Sequence, residues 1–150
     1  QNTSVAAGNT VVLLVNGELD IRNPINVANG SILIVAVKGN ITIQPNVGVP
    51  FISDDVTTAP LQGVYTAERN ITILSSALCP TTPDLRLNVS GTLIANSLRP
   101  FAGGGNGKVI NQRILCLDNR SFPSLKVYQR ASFATGLSTI LKSQSRRWSE

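Results

Sequence analysis

Apolar and polar residues alternate with period two in four stretches of the chain that read alike. They are Leu14-Val-Asn-Gly-Glu-Leu-Asp-Ile21, Ala36-Val-Lys-Gly-Asn-Ile-Thr-Ile43, Thr66-Ala-Glu-Arg-Asn-Ile-Thr-Ile73 and Asn88-Val-Ser-Gly-Thr-Leu-Ile-Ala95. Aligned on the turn, Gly17, Gly39, Arg69 and Gly91 share one column, at steps of 22, 30 and 22 residues. Leu19, Ile41, Ile71 and Leu93 follow two positions later, and Val15, Val37, Ala67 and Val89 stand two positions earlier. Alternation of this kind predicts strands with one buried face, and a fixed period predicts that equivalent strands lie beside one another. The longer step predicts an eight-residue insertion in the stretch from Gly48 to Pro60, which carries Pro50 and Asp54-Asp55.

A 22-residue unit cannot bury its apolar side alone, so repeated units are expected to pair in register, with inward side chains forming apolar ladders. The predicted fold is all-β: a right-handed parallel β-helix, or solenoid, of about four coils with a C-terminal cap. The alternative is an antiparallel β-sandwich or jelly roll, in which Val15-Asn-Gly-Glu18 would be a hairpin turn, since Asn-Gly favours type I′. A glycine at the corner suits a positive φ or a close backbone approach, and Arg69 predicts that the third corner differs. One domain is expected: residues 1–10 as an N-terminal arm able to add to a neighbour's sheet edge, 11–99 as coils, and 100–150 as a basic, loop-rich cap and tail. Within the last part Val109 to Leu117 is expected to add a strand at the open end, and Ser138 to Arg147 a short helix.

The strings Gly39-Asn-Ile-Thr-Ile-Gln-Pro-Asn-Val47, Leu61-Gln-Gly-Val-Tyr-Thr-Ala67 and Leu85-Arg-Leu-Asn-Val-Ser-Gly-Thr-Leu-Ile-Ala-Asn96 resemble the β-helical domains of large surface proteins of ultrasmall uncultivated bacteria. The likeness covers roughly residues 31–99. It implies an exported, wall-associated or appendage-like protein, and it includes no catalytic signature.

Composition narrows the chemistry. Charged residues make up only 14% of the chain and His is absent, which removes a His-based triad and leaves only Cys79 and Cys116 as soft metal ligands. The two cysteines either form one disulfide or remain as separate buried thiols. No apolar run approaches the roughly 20 residues of a membrane-spanning helix. The chain begins at Gln1 rather than Met, and the expectation is that a leader has been removed, consistent with an extracellular or cell-surface location.

Charge is unevenly spread: residues 1–98 sum to −2 and residues 99–150 to +7. The basic part carries Arg130, Lys142, Arg146, Arg147 and Trp148, which are expected to contact the acidic part of a neighbouring copy in a head-to-tail homopolymer. Its aromatic residues lack the regular spacing of a base-stacking platform, so no nucleic-acid partner is expected. Six Asn-x-Ser/Thr sequons, at Asn2, Asn29, Asn40, Asn70, Asn88 and Asn119, are candidates for glycosylation or, alternatively, for an Asn/Thr ladder on a repeating face. Asp54-Asp55 is a candidate carboxylate pair or Ca²⁺ ligand set, with Lys38 or Arg69 as a basic partner in a lyase, against the plainer reading of a solvated turn.

These observations predict a non-catalytic extracellular structural protein without a cofactor, a subunit of a surface filament, sheath or layer. An adhesin or carbohydrate-binding module that recognises a cell-surface glycan is the alternative, and a polysaccharide lyase or hydrolase a more distant one.

Overall fold

The computed structural model describes residues 3–50, 58–79, 81–95, 107–116 and 123–128. The described secondary structure is strand throughout, with no helix among these residues. Eleven strands occur in chain order: β1 (Thr3–Val5), β2 (Thr10–Val15), β3 (Leu19–Ile21), β4 (Ile25–Val27), β5 (Ile32–Val37), β6 (Ile41–Ile43), β7 (Leu61–Ala67), β8 (Ile71–Ile73), β9 (Leu87–Ala95), β10 (Val109–Asn111) and β11 (Leu125–Tyr128).

The strands form two sheets, and every strand pair is parallel. The larger sheet contains β1, β4, β7, β5 and β2, with β9 on β7 and β11 on β9; the smaller runs β10-β8-β6-β3. Among the described residues, antiparallel pairing is confined to two isolated bridges, Val49 with Arg86 and Leu78 with Thr82. The hairpin alternative is therefore corrected at Asn16-Gly17: β2 and β3 flank this turn but belong to different sheets.

The repeat read from the sequence is realised as a register. Leu19 pairs with Ile41 and Ile41 with Ile71; Ile21 pairs with Ile43 and Ile43 with Ile73. Val15, Val37 and Ala67 line up in the same way across β2, β5 and β7. Ile41, Ile43, Ile71 and Ile73 are fully buried. Removing each such side chain from water contributes about 1.5–3 kcal/mol. Across the interior, Val35, Tyr65, Leu61, Leu87 and Val89 complete the core. Tyr65 keeps its hydroxyl satisfied by donating to the carbonyl of Gln62 at 2.8 Å, and its burial pushes the phenol's pKa up.

Three expectations need correction. First, the fourth segment is displaced by six residues. Gly91 pairs with Gly63, Leu93 with Tyr65 and Ala95 with Ala67, so Leu93 lies in the larger sheet and the position beside Ile71 is filled by Val109. Val89 accordingly pairs with Leu61 rather than Ala67. Second, the N-terminal segment is no free arm. Thr3, Ser4 and Val5 pair with Ile25, Asn26 and Val27, one 22-residue step away. The match of Val5-Ala-Ala-Gly-Asn9 to Val27-Ala-Asn-Gly-Ser31 extends the repeat to this segment, and Gly8 and Gly30 both adopt left-handed φ angles, 76° and 75°. Third, the long step combines two changes. The separation is 36 residues at Ile25 with Leu61 but 30 at Ile34 with Val64, so the corner at Ala28–Ser31 is dropped from the next pass of the chain while residues are added between Ile43 and Leu61. Asp54, Asp55 and the predicted helix at Ser138 to Arg147 lie outside the described residues.

Candidate functional site

The first pass of the chain leaves a sheet end open. β2 and β3 are terminal strands of their sheets, and no described strand pairs with their outer edges. β2 is apolar on both sides: Leu13 is 46% exposed on the inward row, while Val12 and Leu14 are 56% and 76% exposed on the other. Behind this edge lies a concavity of about 650 Å³ between β1, β2 and β3. Its floor includes Val11, Leu13, Leu19, Ile21, Val35 and Tyr65, and Asn9, Asp20, Arg22 and Asn23 contribute polar groups. Ile21, Val35 and Tyr65 are themselves buried, whereas Leu13 and Leu19 are more exposed than Val35 and Ile41, which follow them in the same inward rows and have a neighbour on each side. Exposure here follows from the missing neighbour, because the pattern itself does not change. An unpaired parallel edge with apolar residues is a template for another strand.

A polar row borders this end. Asn40 Nδ2 donates to Glu18 Oε1 at 2.9 Å, the Asn70 backbone N–H donates to Asn40 Oδ1 at 3.1 Å, and the Lys108 N–H donates to Asn70 Oδ1 at 3.0 Å. Glu18, Asn40, Asn70 and Lys108 therefore stand in one line across four passes, with an acidic residue at one end and a basic residue at the other. Two of the sequon asparagines thus form the ladder considered from the sequence. Asp20 receives hydrogen bonds from Gln44 and Arg22, at 2.8 and 2.7 Å, which hold its carboxyl below the usual aspartate value. The exposed Arg22–Asp20 pair contributes about 1 kcal/mol at most.

Among the other sequons, Asn29 is exposed at the turn between β4 and β5. Asn88 is corrected as a glycosylation candidate: its side chain is fully buried in β9, and its Nδ2 donates to the Thr58 carbonyl at 2.9 Å. Asn2 and Asn119, and the proposed contact residues Arg130, Lys142, Arg146, Arg147 and Trp148, lie outside the described residues.

A second cluster locks the corner between β8 and β9. Cys79 and Cys116 are joined by a disulfide, with Cα atoms 5.3 Å apart. Buried Asp84 accepts hydrogen bonds from Ser75 Oγ at 2.6 Å, the Ser76 N–H at 2.7 Å and the Ile114 N–H at 2.8 Å. Burial works against ionisation of Asp84, but these donors, together with the charge of Arg113, hold its pKa below the ordinary value. Arg113, also buried, donates to the carbonyls of Leu85, Gln44 and Leu74 at 2.9, 2.9 and 3.3 Å. Burial lowers its pKa to about 10, opposed by Asp84. The geometry is that of a structural clamp, since most of these polar atoms bond backbone groups. Its residues were not singled out from the sequence, apart from the two cysteines. An isolated Asp and Arg 29 positions apart carry no local pattern.

Thr3, Ser4 and Asp20 also line the concavity, and no group of three or more His, Cys, Asp or Glu side chains among the described residues could hold a metal ion. No helix of the described residues is long and apolar enough to cross a membrane. No protein-family model matches the chain, and no curated protein or solved structure matches it, so the residues themselves carry the functional reading.

Proposed function

We propose that this chain is an exported structural subunit: a right-handed parallel β-helix of about four coils that assembles into a surface filament, sheath or layer. The observation that carries the reading is the open first pass, where inward rows of an otherwise buried core reach the surface beside strand edges that no described strand pairs. Repeat proteins that remain single require polar terminal units, and β2 is the reverse of one. The 22-residue register supports the coil architecture, because each inward residue sits beside its counterpart in the next pass. The disulfide supports an oxidising, extracellular setting.

Light scattering after native size separation, together with negative-stain electron microscopy, tests the proposal. High-mass particles whose abundance grows with concentration and shrinks with salt are the expected result. A monodisperse monomer at every concentration would overturn it.

A further inference from the structure

The two ends of the described strands match each other in register, and from this we infer that a second copy of the chain is the partner of the open end. The inference rests on the assembly reading above and specifies its contact: β3 of the incoming copy continues the ladder past β10, with Glu18 placed on Lys108. Within one chain the corner repeats a fixed pattern. The Leu19 N–H donates to the Asn40 carbonyl, the Ile41 N–H to that of Asn70, and the Ile71 N–H to that of Lys108, each at 2.9 Å. The next donor in this series is Val109, whose strand is the terminal one of its sheet and which is 40% exposed. Extending the pattern by one pass presents Val109 with the carbonyl of the incoming Glu18.

Charge selects this orientation. The polar row ends in a carboxylate at Glu18 and an ammonium group at Lys108, both exposed, so head-to-tail stacking joins opposite charges. In the larger sheet, β2 of the incoming copy meets the part of β9 beyond Ser90, since the described β11 pairs with Leu87–Ser90. The same pairing puts Val127 next to Val89, in the row that contains Thr3, Ile25 and Leu61. β11 therefore occupies the place that continuation would give to the incoming β1. The contact therefore requires this three-residue strand, with two exposed side chains and Val5 buried, to leave its pairing with Ile25–Val27 in the incoming copy. The contact is heterologous and repeats without closing, which yields a fibre.

Charge exchange tests the contact. Glu18→Lys alone and Lys108→Glu alone should each raise the concentration needed for assembly by about tenfold or more, because like charges then face each other. The double variant, carrying both changes, should assemble near the wild-type concentration. Unchanged circular dichroism and melting of each variant as a monomer would confirm that folding is intact, and Glu18→Gln and Lys108→Gln replace any variant that fails this control. Wild-type assembly that ignores all the substitutions, or a double variant weaker than both single ones, overturns this contact while leaving assembly standing. Absence of wild-type assembly removes the contact and the assembly reading together.

Discussion

Individual side chains decide where this fold tolerates change. Gly91 and Gly63 face each other on β9 and β7, at φ angles of 148° and 129°, and a Cβ at Gly91 would run into the Gly63 backbone. Gly91→Ala should therefore destabilise the protein by about 2–4 kcal/mol, read from urea unfolding, since backbone strain and overpacking combine. A loss under half a kcal/mol would mean that the two strands do not approach so closely. Asp84 sets the response to acid. Its folded pKa lies below its ordinary value of 3.8, so the folded state binds that proton less readily than the unfolded chain. Its contribution is complete above the ordinary value and is lost as pH falls through the lower, folded one. Stability should thus hold from neutral pH to about pH 5 and decline below about pH 4. Asp84→Asn should cost about 2–3 kcal/mol at pH 7 by removing charge-assisted hydrogen bonds, and should flatten the acid limb. An equally steep acid limb in the variant would place the titrating group elsewhere.

At the scale of elements, period and register behave differently. Alternation identified β3, β6 and β8, and the steps of 22 and 30 residues placed them side by side, because an interior face shared by successive strands demands apolar residues at matching positions. The fourth register was not legible. Val89-Ser-Gly-Thr-Leu93 resembles the corner Val15-Asn-Gly-Glu-Leu19, yet it forms the middle of β9 opposite Leu61-Gln-Gly-Val-Tyr65. A slip of six residues is even, so every side chain keeps its inward or outward face and alternation cannot reject it. The Gly63–Gly91 approach and the clamp of Asp84 and Arg113 distinguish the two registers, and both are long-range contacts. The disulfide acts on the same corner. It closes a loop between positions 37 apart, which should stabilise by about 4 kcal/mol in the chain-entropy model. Replacing Cys79 and Cys116 together by Ser, or reducing the protein, should lower the melting temperature by about 8–16 °C for a domain of this size. A shift of only a degree or two would show that Asp84 and Arg113 hold the corner without it.

Over the whole molecule, the proposed assembly through the open end and the charged row is expected to respond most to solution conditions. Screening shortens the reach of exposed charges to roughly 8 Å at physiological ionic strength. The proposed Glu18–Lys108 contact should accordingly weaken with salt, while the apolar edge of β2 would continue to favour association. The sequence by itself determined the strand class, the inward rows through Ile41, Ile43, Ile71 and Ile73, and the shortage of reactive groups, because periodicity and composition are local properties that burial must respect. Only the tertiary structure decided that Thr3–Val5 joins the sheet, that Leu93 leaves the Leu19 row, that Asn88 is buried, and that Arg113 ties together Gln44, Leu74 and Leu85. Each of these depends on which distant segment supplies the hydrogen-bonding partner, and segments of equal alternation compete for that place until backbone approach and buried charge select one.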